Sequence, residues 1–206
     1  MREKILTMLA MQDAMNEKVH ENWIQQHFEW YRAIWIEAAE LLDHYGWKWW
    51  KKQEPDREQV ALELIDIWHF GLSILLSEGS DYEIIVQQIV NDLKPRKGEV
   101  DFRLNLESFA LETLKTRNFD LSGFATLMEG IELDFNELYR TYVGKNVLNF
   151  FRQDHGYKDG TYVKVWSSKE DNEHLAEVIA DLDDSRSDFR EAVYNALSSR
   201  YRELAG

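Results

Sequence analysis

Apolar residues recur at threes and fours along nearly the whole chain, and alternation of apolar and polar positions is scarce, so the pattern predicts helices throughout. The first predicted helix covers about 2–20. The second covers about 25–45, where Ile34, Trp35, Ala38, Leu41, Leu42 and Tyr45 share one face, and it ends near Gly46 as a left-handed closing position requires. Trp47-Lys48-Trp49-Trp50 then forms a connector, and Pro55 opens a third helix that runs to Ser77, proline being suited to a first helical turn. Gly79-Ser80-Asp81 caps a fourth over 81–93. Further helices are predicted at about 101–117, 121–129, 133–153, 170–182 and 185–203. Lys94-Pro95-Arg96-Lys97-Gly98 is a loop, and 154–169 is too rich in glycine and polar residues to be regular, leaving a loop with room for a short hairpin. No repeat, low-complexity tract or linker interrupts this, so residues 1–206 are expected to form a single all-α domain.

Composition adjusts that picture in three ways. With no cysteine there is neither a disulfide framework nor a thiolate metal site. The N-terminal stretch has too short an apolar core and too many acids for a signal peptide, and no run approaches the roughly 18 apolar residues of a membrane span, so a cytoplasmic location is expected. A net charge of −14 argues against nucleic acid or anionic membrane as a partner. Between Arg140 and Lys169, however, six basic residues face only Asp154 and Asp159, a local balance of +4 that suits a small anion or, alternatively, a solvated loop.

The candidate chemistry lies in two acid pairs. Glu37-Ala38-Ala39-Glu40 falls in the second helix and Glu63-Leu64-Ile65-Asp66 in the third. Residues three apart share a helix face, so each pair aims two carboxylates at one spot, and antiparallel packing through the short connector would bring all four together. Carboxylates so close need a cation, and hard oxygen ligands select Mg²⁺ or Mn²⁺. Mg²⁺ keeps water and substrate phosphates as ligands, which points to a phosphate substrate. The plainer alternative is two pairs of surface acids on amphipathic helices. His69, three residues after Asp66, also resembles the acid-x-x-His step of a di-iron protein, but His44 stands four residues from Glu40 where a second step would need three. A structural role for His69, on a neighbouring carboxylate or carbonyl, fits that spacing better.

Lys145, Asn149 and Arg152 stack on one helix face, and Tyr157, Lys158 and Lys164 follow on a glycine-containing loop. A point charge, an amide and a guanidinium fork in a row suit a polyphosphate. Pairing of the two cations with the surplus acids is the structural alternative.

The E-x-x-E and E-x-x-D pairs, separated by 22 residues, together with Gln12-Asp13-Ala14-Met15-Asn16, Trp47–Trp50 and the block YVGKNVLNFFRQDHGYKDGTYVKVWSSKEDNEHLA, resemble the dimeric all-α dUTPases of the all-α nucleoside triphosphate pyrophosphatase superfamily. The resemblance covers about 11–78 and 138–176; residues 80–135 match only as helices. It implies a homodimeric helical bundle that hydrolyses dUTP, and dUDP as well, to dUMP with Mg²⁺. It further implies metal and catalytic roles for Glu37, Glu40, Glu63 and Asp66, with Glu37 orienting or deprotonating the attacking water. Gln12 and Asn16 would read the uracil edge and Trp47 would border the base. Lys145, Arg152 and Lys164 would hold phosphates, with Asn149, Tyr157 and Asn172 near sugar and phosphates. Two other readings stand beside it: a pyrophosphatase of the same superfamily acting on dCTP or several nucleotides, and a non-catalytic nucleotide-binding helical dimer.

Overall fold

A computed structural model describes residues 1–79, 81–183, 186 and 188–204. The order is α1 (Arg2–Val19), a 3₁₀ turn (Ile24–Gln26), α2 (Trp30–Tyr45), α3 (Arg57–Ser77), α4 (Tyr82–Asp92), α5 (Phe102–Thr116), α6 (Leu121–Gly130), α7 (Phe135–Asp154), a hairpin of β1 (Val165–Trp166) and β2 (Lys169–Glu170), α8 (Asp171–Asp181) and α9 (Phe189–Leu204). The architecture is all-α, as the periodicity predicts. Ser80, and the start of the last helix predicted at 185, lie outside the described residues.

Aspartates open many of these helices. Asp56, Asp81, Asp101 and Asp120 each accept a backbone N–H from the first turn of α3, α4, α5 and α6, satisfying a donor that has no partner within the helix. Pro55 therefore precedes the cap of α3 and is not its first helical residue. Gly46 closes α2 with φ +94, and its amide donates to the carbonyl of Leu42. The predicted second helix begins five residues early: His27 adopts φ 52 after the 3₁₀ turn and breaks the run, and α2 starts only at Trp30.

The chain divides into two compact units, Met1–Leu138 and Tyr139–Gly206. In the first, α3 is the central helix, packed most extensively against α2 and also against α1 and α4. Trp68 is wholly buried, stacked on Phe124 at 5.2 Å and edge-on to Phe119, with its Nε1–H directed at Met8 Sδ. By length and composition α3 could cross a membrane, with mean hydropathy 1.6 over its best window, but 78% of that window is buried inside the protein. Glu63, Asp66, His69 and Ser73 interrupt what would otherwise be one continuous apolar run.

In the second unit Phe151 of α7 is wholly buried among the rings of His155, Tyr162, Trp166, Tyr194 and Tyr201. The hairpin pairs Val165 with Glu170 and Trp166 with Lys169. Its turn residues, Ser167 and Ser168, both have positive φ, the geometry whose twist suits a two-residue hairpin. Glu170 then serves α8 in a capping box with Glu173.

Candidate active site

Three of the four predicted acids come together in the first unit. One oxygen each from Glu37 on α2 and from Glu63 and Asp66 on α3 lie within 4.8 Å of one another. His44 Nε2 lies 3.6 Å from Glu63 Oε1, one end of a progression in which earlier residues of α2 meet later residues of α3. The two helices thus run antiparallel, which turns two same-face pairs into one cluster. Glu40 is exposed and stands outside the trio, acting on Glu37 through its charge.

Glu63 is buried and its two neighbours are half-buried, so the cluster concentrates negative charge where water screens it poorly. Burial first, then the charge of Asp66 and a hydrogen bond with Glu63, push the Glu37 carboxyl up to about 8. Glu37 therefore carries a proton through much of the neutral range. The donor set consists of hard oxygens at a separation that one or two divalent cations can bridge, so the residues present fit Mg²⁺ or Mn²⁺.

Gln12 and Asn16 are both buried on α1 and face α3. Gln12 Nε2 donates to Asn16 Oδ1 and to Ser73 Oγ, both at 3.0 Å, and Asn16 Nδ2 donates to Ser73 Oγ at 3.0 Å. His69 Nδ1 lies 2.8 Å from Gln12 Oε1. The histidine thus meets an amide carbonyl, where a carboxylate or backbone carbonyl was expected from the sequence. Next to this network Asp13 accepts from the Trp23 indole at 3.0 Å and the Tyr82 hydroxyl at 2.8 Å, tying α1 to α4 and to the turn after α1.

Trp47 is partly exposed; its indole N–H donates to Asp43 at 2.9 Å and its ring meets Trp50 edge-on. Trp49 is the most exposed of the four-residue aromatic connector, at 90%.

In the second unit Arg152 forms a two-pronged pair with Asp171, both bonds 2.8 Å, and its third nitrogen donates to Asn149 Oδ1 at 3.3 Å. Asp171 is wholly buried and also accepts from the Tyr162 hydroxyl at 2.9 Å. Burial and the Asp171 charge keep the Tyr162 phenol protonated far above the usual range. The Arg152 fork is thus largely engaged by protein, and its flat face lies over the exposed Tyr157 ring. Lys145 is buried on α7, and Lys164 is half-exposed and paired with Glu170 at 2.9 Å. Asn172 is half-buried at the start of α8, its Oδ1 enclosed without a hydrogen bond.

Sequence reasoning did not single out Ser73, Asp171 or Tyr162. A hydroxyl inside the apolar run GLSILL was a usable signal, because a buried polar group has to find a partner. Asp171, one acid among several in KEDNEH, offered none.

Comparison with sequence models of protein families matches residues 4–157 to the dUTPase family of the all-α type. The match spans most of the chain, and the protein belongs to that family. Comparison with curated proteins finds no match.

Proposed function

We propose that the protein is a Mg²⁺-dependent dUTP diphosphatase that converts dUTP, and also dUDP, to dUMP, acting as a homodimer with residues 1–206 as one functional domain. In a cell this activity keeps uracil out of DNA and supplies dUMP. Family membership supports dUTP hydrolysis at the level of the family. The observation that carries the metal-dependent reading is the trio of acid oxygens within 4.8 Å, with a Glu37 carboxyl pushed up to about 8.

Glu37, Glu40, Glu63 and Asp66 are assigned to the metal, for which Mn²⁺ could substitute. When bound, divalent cations supply charge neutralisation and a water activated for attack on phosphorus. Glu37 is assigned to orienting that water and taking its proton; bound cations would offset the charges of its carboxylate neighbours and free it of the proton it holds in their absence. Base-reading roles for Gln12 and Asn16 rest on the resemblance, since their amides here bond to each other, to Ser73 and to His69, while Trp47 offers an aromatic face. Phosphate and sugar roles for Lys145, Arg152, Lys164, Asn149, Tyr157 and Asn172 rest on the resemblance.

The test is product analysis with Mg²⁺ and, separately, dUTP, dUDP, dTTP, dCTP and UTP. The proposal expects conversion of dUTP and dUDP to dUMP, abolished by EDTA and lowered at least about a hundredfold in Glu63→Gln and Asp66→Asn. Near-normal turnover in those variants would remove the metal assignment, and preferred hydrolysis of dCTP would replace the specificity. A solution mass equal to that of one chain would remove the dimer.

A further inference from the structure

In the second unit one carboxylate sets the direction of a row of donors. Asp171, wholly buried at the start of α8, accepts the Nε–H and one Nη2–H of Arg152 on its two oxygens, both at 2.8 Å. The Tyr162 hydroxyl donates to the same carboxylate at 2.9 Å. The backbone N–H of Asp171 donates to the carbonyl of Lys164 at 3.0 Å, which ties the segment carrying that lysine to α8. With one edge of its guanidinium held in this way, Arg152 directs Nη1 at Asn149 Oδ1, 3.3 Å away and nearly one turn earlier on α7. A guanidinium has only protons to give, so the oxygen end of the Asn149 amide is the end that faces it. The amide nitrogen of this half-buried residue is thereby turned away from Arg152, and it meets no acceptor among the described residues. Of the five N–H groups of Arg152, three are engaged and two remain, one on each terminal nitrogen.

We propose that Asp171 is a positioning residue of the phosphate site, acting through Arg152 to keep the Asn149 N–H groups toward the ligand. The proposal rests on the reading above that Asn149 and Arg152 meet the phosphates. The oxygens of an ionised polyphosphate are acceptors, so a carboxamide serves them with its nitrogen and opposes them with its oxygen. An amide free to turn has to be ordered as the ligand arrives, whereas one whose oxygen is already held presents donors beforehand. Arg152 is long and has many rotamers; the two-pronged grip of Asp171 selects the one that reaches Asn149. Because Asp171 also offsets the Arg152 charge, the group offers the ligand directed donors and no added positive charge. Tyr162 takes a further acceptor position on Asp171 and has no part in the Arg152 to Asn149 step, so removing its hydroxyl leaves the fork in place.

The experiment measures the Kd of a dUTP analogue with nitrogen in place of the α–β bridging oxygen, by titration calorimetry on the full chain with Mg²⁺. Unfolded protein lowers the stoichiometry in such a titration and leaves Kd unchanged. Asp171→Asn is expected to raise Kd at least about tenfold, as loss of a directed bond to a charged acceptor does. Asn149→Ala is expected to raise it by a similar factor. Adding Asp171→Asn to Asn149→Ala should then raise Kd less than about threefold further, because the amide that Asp171 directs is already gone. Tyr162→Phe is expected to stay within about twofold of the parent. If Asp171→Asn does not fold, Asp171→Glu takes its place with the same expectation, since it keeps the charge and displaces the fork by one methylene. An unchanged Kd in Asp171→Asn beside a raised one in Asn149→Ala overturns the role of Asp171 and leaves the phosphate reading standing. Losses that multiply in the double variant, or an equal loss in Tyr162→Phe, show that Asp171 supports the packing of the unit and not the direction of Asn149. An unchanged Kd in Asn149→Ala removes the phosphate reading of that residue, and the proposal falls with it.

Discussion

Glu37 holds its proton against neutral solvent because burial, then the charge of Asp66 and a hydrogen bond with Glu63, disfavour its ionised form. Its folded-state value of about 8 stands above the ordinary 4.5, so the neutral form is the one that favours folding. That contribution is complete below about 4.5 and drains away as pH rises through about 8. In EDTA the melting temperature of the protein is therefore expected to fall as pH is raised across this window, beyond what the other groups cause. Glu37→Gln, which stays neutral, should show a flatter profile and exceed the parent at the alkaline end. Thermal melts of both proteins in chelator check this; parallel profiles would show that Glu37 is not the group under strain.

Helix α3 shows how an element's position reverses a general rule. Replacing a helical glycine with alanine ordinarily stabilises by about 1 kcal/mol. At Gly71 a Cβ would stand 2.5 to 2.7 Å from the Phe119 ring, inside a packed core. Gly71→Ala is expected to destabilise by about 1–3 kcal/mol, with much of the loss recovered when Phe119→Leu is added. Urea unfolding of the two single variants and the pair would reveal the coupling, and simple additivity would refute it. In the second unit Asp171→Ala leaves the half-buried Arg152 without its wholly buried partner, an expected cost of about 3 kcal/mol read by the same method.

The same elements show what could be read from the chain. The acid pairs were legible because the spacing E-x-x-E and E-x-x-D places each pair on one face before any tertiary contact is known. The end of α2 was legible because Gly46 announces a positive φ. The constraint at Gly71 could not be read from the chain, since only the fold brings Phe119 against it. The Ser167-Ser168 turn carried none of the Asn or Gly usual at positive φ, and the acid that pairs with Arg152 could not be picked out because it lies 19 residues away.

At the scale of the whole molecule the acids are unevenly spread. Met1–Leu138 contains fourteen basic and twenty-six acidic residues, a balance of −12, while Tyr139–Gly206 contains ten and twelve, a balance of −2. Two kinds of repulsion therefore oppose folding of the first unit: a diffuse one among exposed carboxylates and a local one at Glu37, Glu63 and Asp66. Salt distinguishes them, because about 0.15 M monovalent ions screen exposed charges over roughly 8 Å but reach buried groups poorly. In EDTA, added NaCl should raise the melting temperature gradually at neutral pH, and less at pH 5, where fewer groups are ionised. Mg²⁺ added at constant ionic strength should give a further, saturable rise, as any ligand of the folded state does. Glu63→Gln and Asp66→Asn should keep the response to NaCl and lose the response to Mg²⁺. If parent and variants gain equally from Mg²⁺, the cation acts on the acidic surface as a whole, and the three carboxylates do not form its site.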